Sequence, residues 1–241
     1  MLIDKPITKA QIKILEDQID RYNMIKRNKT YCNNKQRVNE KERIILEEGT
    51  LIHGTYFDID VLRKISKNGI LACEILGEPE NIETYYCADF FRIPKTQTMK
   101  EYYEFCKEKE IVAGFKTDKM ETIKLPVLSP FSVGIIVNND SYLQDLLSYD
   151  PYRENLEVQG IVNQQELLDT GLYDNRERLA AILIGVPANC ISGIWIGDRI
   201  RTDKEKIEQL KSLFIKSYIV TNDGSIIYTP MPEKEEQQLC Y

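Results

Sequence analysis

One histidine, two adjacent tyrosines and a few carboxylates are the residues here whose types can do chemistry, and their spacing decides which chemistry. His53 is the only histidine in the 241 residues. It stands in Thr50–Thr55, Thr-Leu-Ile-His-Gly-Thr, so any Ser-His-Asp or Cys-His arrangement has to use it. No Gly-x-Ser-x-Gly elbow accompanies it, and no cysteine carries a nucleophile signature. Cys32, Cys73, Cys87, Cys106, Cys190 and Cys240 are scattered without Cys-x-x-Cys pairing. With one histidine available, the expectation is no metal site and the reduced thiols of a cytoplasmic protein. Gly-x-Gly-x-x-Gly after a strand and a Gly-Lys-Ser/Thr loop are both missing, which excludes the common Rossmann and P-loop nucleotide sites. What remains is a histidine that positions a substrate rather than one that activates a nucleophile.

The elements that must position His53 follow from hydrophobic periodicity. Leu51-Ile52 opens a short strand that ends on His53-Gly54-Thr55. Asp58 is then placed as the N-cap of an amphipathic helix to Asn68, with Val61, Leu62 and Ile65 buried and Gly69 closing it. The next strand is Thr84–Phe91, aromatic-rich. It contains Tyr85, Tyr86, Phe90 and Phe91, which read equally as ligand contacts or as alternating core and surface positions.

Around this centre, Thr8 and Gln11 cap a first helix whose apolar face is Ile12, Leu15, Ile19 and Tyr22. Asn28–Asn39 is a polar linker, and Glu40–Leu46 reads as a short helical turn. Met99–Glu110 is a helix with Tyr102, Tyr103 and Cys106 inward. Ser132–Val137 and Cys190–Ile196 are strands, the latter with the only tryptophan, Trp195. Tyr142–Leu147 is a short helix, and Asn175–Ile184 reads as a longer one ended by Gly185 and Pro187. Thr202 and Glu205 cap a helix with Ile207, Leu210, Leu213 and Phe214 inward. Tyr218–Thr221 and Ser225–Tyr228 form a hairpin about Asn222-Asp223-Gly224.

Short strands alternating irregularly with helices imply an α+β class. The division expected is an N-terminal helix and linker over 1–40, a main domain over 41–230 and a charged tail over 231–241. The 42% hydrophobic content suffices for a core, and the net charge is −6, which gives no bulk attraction to nucleic acid or an anionic membrane. No apolar run approaches the ~20 residues of a membrane span.

Leu-Ile-His53-Gly54-Thr55, followed by Leu62, Ile65, Asn68-Gly69-Ile70 and Tyr85-Tyr86-Cys87-Ala88-Asp89, resembles the NAD-binding half of ADP-ribosyltransferases of the poly/mono(ADP-ribose) polymerase type. A second block, Asn175–Leu183 with Gly185-Val186-Pro187 and Ile191-Ser192-Gly193-Ile194, is similar to a segment of DNA-modifying ADP-ribosyltransferase toxins. The resemblance implies a split mixed or antiparallel sheet, NAD as substrate and no metal. It implies that His53 contacts a ribose hydroxyl, that Gly54 and Thr55 line the carboxamide, and that Tyr86, or alternatively Tyr85, stacks on nicotinamide. Arg92 is then either a pyrophosphate contact or a solvated strand-end charge. Aligned on the toxin pattern, the glutamate position holds Ala181. Glu177, one helical turn earlier, is either the catalytic carboxylate or a surface charge.

The function so implied is transfer of ADP-ribose to a macromolecular acceptor, protein rather than nucleic acid given the acidic balance, with no membrane partner. The alternatives are an inactive module binding NAD, ADP-ribose or a protein, and an NAD glycohydrolase.

Overall fold

The computed structural model describes residues 9–27, 37–39, 41–72, 75, 87–93, 95–108, 131–137 and 179–230. Among these residues, in chain order, the helices are α1 (Lys9–Arg27), α2 (Ile59–Asn68), α3 (Met99–Glu108), α4 (Asp198–Arg201) and α5 (Lys204–Leu213). The strands are β1 (Arg37–Val38), β2 (Ile44–Leu46), β3 (Leu51–Tyr56), β4 (Ile70–Leu71), β5 (Cys87–Arg92), β6 (Gln97–Thr98), β7 (Ser132–Val137), β8 (Leu179–Leu183), β9 (Gly185–Val186), β10 (Ile191–Ile196), β11 (Tyr218–Val220) and β12 (Ile226–Tyr228).

Seven strands form one sheet in the order β12-β11-β10-β7-β3-β5-β8. Only β10 and β11 run parallel; the other neighbours are antiparallel. The fold is therefore α+β with a mixed sheet, flanked by the small sheets β1-β2-β6 and β4-β9. The interior strands β7 and β10 are buried at every position, which is why they read as continuous apolar runs rather than alternating ones. One face of the sheet, with Leu51, Val133, Ile135 and Ile194, packs under Leu62 and Ile65 of α2 and Ile207 and Leu210 of α5. The opposite face, with Ile52, Ile136, Trp195 and Val220, packs under Met99, Tyr102 and Cys106 of α3 and Ile44 and Leu46 of β2.

Helix α2 forms where the sequence places it, with Leu62 and Ile65 buried, but Val61, expected on the same buried face, is 39% exposed. Asp58 accepts from the Asp60 and Val61 amides at 2.9 and 3.1 Å, satisfying two of the donors a helix start leaves open. Gly69 ends the helix at φ +87, its amide bonded to the Ile65 carbonyl at 2.8 Å. A Cβ there would also collide with the Val186 carbonyl oxygen of β9, so glycine is required by close approach as well as by backbone conformation.

Other expectations are also corrected. Leu179–Leu183, within the stretch read as helix, is the edge strand β8, laddered to β5 from Cys87↔Leu183 to Phe91↔Leu179. Ile44–Leu46, read as a helical turn, is strand β2, pinned between β1 and β6. The turn before it is closed by the Asn39 side chain, which accepts from the Lys41 and Arg43 amides at 3.0 Å each. Helix α5 is capped by Asp203, which accepts from the Lys206 amide, one residue beyond Thr202.

A further correction concerns α1, whose buried residues among those described are Gln18, Tyr22 and Ile25, while Ile12 and Ile19 are 44% and 40% exposed. Polar anchoring sets that rotation. The Tyr22 hydroxyl donates to the Asn68 carbonyl at the end of α2, and the Asn189 amide donates to the Ile25 carbonyl at 2.8 Å. Burial, with a smaller contribution from Cys190, raises the Tyr22 pKa to about 12. Of the linker expected over Asn28–Asn39, Arg37–Val38 is instead strand β1, while residues 28–36, the expected helix over Tyr142–Leu147 and the tail over 231–241 lie outside the described residues.

Candidate functional site

His53 sits in the middle of β3 rather than at its end, because the strand continues through Tyr56. Its two neighbours treat the strand differently. The register with β7 runs the whole length, from Leu51↔Val137 to Tyr56↔Ser132. The register with β5 holds only Leu51↔Arg92 and Ile52↔Phe91. Beyond Ile52, β5 keeps its ladder to β8 while β3 keeps its ladder to β7. The sheet therefore splits at His53, and the His53–Tyr56 half of β3 and the Cys87–Phe90 half of β5 flank the opening.

At the apex of that opening the His53 ring meets the Phe90 ring, centroids 5.8 Å apart and planes inclined by 60°, an edge-on geometry suited to aromatic quadrupoles. Phe90 is buried, so it fixes the half-buried imidazole from one side. Next along the strand, Gly54 pairs with Gly134 of β7, and Gly134 pairs on its other side with Trp195. At this level neither β3 nor β7 carries a side chain. Gly54 is partly exposed, Gly134 is buried, and backbone without a Cβ lets a ligand approach closely. The Thr55 hydroxyl makes only a 3.4 Å contact to the Tyr56 carbonyl. That is long for an O–H donor, so the hydroxyl can turn to a ligand.

The floor beneath this stretch is held from the opposite face. The Trp195 indole N–H donates to Asn222 Oδ1 at 2.9 Å, and Asn222 Nδ2 donates to Asp198 Oδ1 at 3.0 Å. Tyr102 and Tyr103 rings flank the indole at 6.1 and 6.2 Å. Burial first, and the Asp198 charge second, push the Tyr103 hydroxyl pKa upward. Trp195 is buried in the core, and its polar handle is met by the asparagine of the hairpin turn that follows β11.

The sequence-nominated residues divide accordingly. His53, Gly54 and Thr55 come together on β3 at the opening. Tyr85, Tyr86 and Glu177 lie outside the described residues. Residue 92 is placed opposite Leu51, at the paired end of β3 and β5 and away from the opening. The helical relation between Glu177 and Ala181 falls with the helix, since residues 179–183 are strand. Phe90, which sequence left open between core and site, is buried in the core and meets the His53 ring.

Among the described residues, no group of three or more His, Cys, Asp or Glu side chains is placed to hold a metal ion, and no helix is long and apolar enough to cross a membrane. No protein-family model matches the chain, and neither a curated protein nor a solved structure matches it.

Proposed function

We propose that the protein is an NAD-using enzyme on an ADP-ribosyltransferase-like split sheet, transferring ADP-ribose to a macromolecular acceptor with release of nicotinamide. The observation that carries this reading is the parting of β3 from β5 at His53. It leaves a histidine, a glycine and a threonine in consecutive positions along an opening in an otherwise continuous sheet.

The chemistry suits such a site. Cleaving the nicotinamide–ribose bond passes through an oxocarbenium-like state, the electronic problem that glycosidases also meet. Rate then depends on holding the ribose and the carboxamide in one geometry. His53, braced by Phe90, hydrogen-bonds a ribose hydroxyl. The Gly54 backbone and Thr55 hydroxyl take the carboxamide side. Tyr86, or Tyr85, stacks on the nicotinamide ring, and a carboxylate faces the developing positive charge. The net charge of −6 favours a protein acceptor over nucleic acid.

The test is direct. The protein is mixed with NAD and candidate acceptors, and free nicotinamide is measured beside the NAD-induced shift in melting temperature. NAD at a hundred times its Kd stabilises the native state by about 2.7 kcal/mol; His53→Ala is expected to abolish most of that shift. A shift without nicotinamide would indicate an NAD-binding module. Nicotinamide release without labelled acceptor would indicate a glycohydrolase. Neither shift nor release would refute the proposal.

A further inference from the structure

We infer that β5 and β8 form a strap along the opening, latched at its tip by a strained corner at Ile184–Gly185, which opens while the rest of the sheet stays closed. It concerns the opening at His53 and does not depend on NAD being what enters there. The registers carry it. β5 pairs with β3 only at Arg92 and Phe91, so over 87–90 its ladder among the described strands is to β8 alone, from Cys87↔Leu183 to Phe90↔Ala180. β8 is the last strand of the large sheet. Beyond Phe91 the two strands therefore run on as a two-stranded ribbon, which is marginally stable without other support. Part of that support is apolar: Ala88, Phe90 and Ile182 are buried in the core with Leu62 and Ile65 of α2. The rest comes from the tip. Just past Leu183 the chain enters β9, which pairs with β4 through Ile70↔Val186 and Leu71↔Gly185. The Ala72 amide also donates to the Ile184 carbonyl at 3.1 Å. Since β3 leads into α2 and α2 into β4, this corner ties the ribbon back to the far wall of the opening.

The tie is made under strain. Ile184 lies at φ +71, where a β-branched residue is an outlier, and it is 3% exposed. Gly185 follows at φ +119. A Cβ on Gly185 would collide with the Ile70 carbonyl oxygen and lie 2.9 Å from Leu71 Cα. Such a backbone persists only where its surroundings over-determine it; here the β5–β8 and β4–β9 ladders do so from either side. Releasing β9 from β4 relieves the strain, so opening costs less here than in the unstrained ladders of β7 and β10. With the corner released, β5 and β8 swing together about the last β3–β5 pair, Ile52↔Phe91, and the gap beside His53–Tyr56 widens. Phe90, one residue from that pivot, moves least. The strap thus gates entry to the site in the way that closing segments gate other enzymes.

Native-state amide hydrogen exchange tests this in wild type, Gly185→Ala, Ile184→Gly and Ile184→Ala, read in peptides covering β5, β7, β8 and β10. In wild type the ladder amides of β5 and β8 should share one rate, about tenfold or more above that of β7 and β10. Gly185→Ala should raise the β5 and β8 rate by about tenfold again and leave β7 and β10 unchanged. Should that variant fail to fold, the two Ile184 variants decide. Both remove the buried side chain, but only glycine relieves the backbone, so β5 and β8 should exchange about fivefold slower in Ile184→Gly than in Ile184→Ala. Elsewhere in a strand glycine is the weaker residue. Equal rates in β5, β7, β8 and β10, unrelated rates in β5 and β8, or no slowing in Ile184→Gly relative to Ile184→Ala each overturn the strap. Slowing of β5 and β8 by added NAD supports the strap and the proposed function together. The wild-type pattern unaltered by NAD leaves the strap standing and counts against NAD as the ligand.

Discussion

Replacing Gly69 with alanine tests the junction that ends α2 and fixes the chain leaving β3. Gly69 lies at φ +87 and ψ −171, a backbone region almost confined to glycine that costs an L-residue about 1–3 kcal/mol. The added methyl would also lie well inside contact distance of the Val186 carbonyl oxygen, and 2.7 Å from both Pro187 C and Ala188 N. All three atoms are backbone, so no side-chain rotation relieves the overlap. The only relief is to move β9 off β4, disturbing the Ile70↔Val186 and Leu71↔Gly185 pairs at about 0.5–1.5 kcal/mol for each hydrogen bond lost. With some loss of burial at Ile70 and Val186, the sum is about 3–5 kcal/mol, or roughly 6–20 °C in Tm for a chain of this size.

Gly224 is the internal control for that prediction. It has φ +80, but its added methyl would find Met99 Cβ at 3.3 Å and the Ile44 carbonyl oxygen at 3.5 Å. The backbone cost of about 1–2 kcal/mol dominates, since a shift of a few tenths of an ångström at Met99 relieves the 3.3 Å contact, so Gly224→Ala should lower Tm by roughly 2–8 °C. Thermal melts of both variants by circular dichroism decide the matter. A Gly69→Ala variant no less stable than Gly224→Ala would refute the close-approach reasoning.

Two further perturbations follow from polar contacts. Asp223 feels burial, which opposes its charge, but hydrogen bonds from the Thr221 hydroxyl and the Ser225 hydroxyl and amide, with Arg43 beyond, outweigh it and hold the pKa at about 2. Its stabilisation is therefore fully present above the unfolded-state pKa, near pH 4, and is lost as pH falls through about 2. Allowing for solvent screening of a partly exposed group, that is on the order of 1 kcal/mol. The Tm gap between wild type and Asp223→Asn should shrink from pH 4 to pH 2, and a constant gap would count against it. Tyr22→Phe leaves the Asn68 carbonyl without the hydroxyl that bonds it, at a cost of about 1–2 kcal/mol. Limited proteolysis should then cleave within α1 faster than in wild type, and an unchanged rate would show that Ile25 and Asn189 suffice to hold the helix.

What the sequence made legible was local. Asp58 and Gly69 mark the ends of α2 because capping and positive φ are decided within a few residues. Strands β7 and β10 are visible because burial on both faces makes them uniformly apolar. The misreadings have the opposite character. Leu-Ala-Ala-Ile-Leu consists of good helix formers with no period of two, yet it becomes an edge strand because β5, about ninety residues earlier, offers it a ladder; tertiary pairing overrides propensity. The three residues of β2 are too few to show any period. The buried face of α1 includes the polar Gln18 with Tyr22, and a glutamine contributes nothing to an apolar period.

The candidate site shows the same limit. His53-Gly54-Thr55 and Phe90 are visible as motifs, but the opening that relates them exists only because the β3–β5 register stops at Ile52 and Phe91. The acid is the sharpest instance. Read as a helix, 175–184 sets Glu177 about 6 Å from position 181 on one face, and the search for a carboxylate then runs along the chain. In a strand, positions four apart are separated by about 13 Å, so a residue's nearest functional neighbours lie across the ladder.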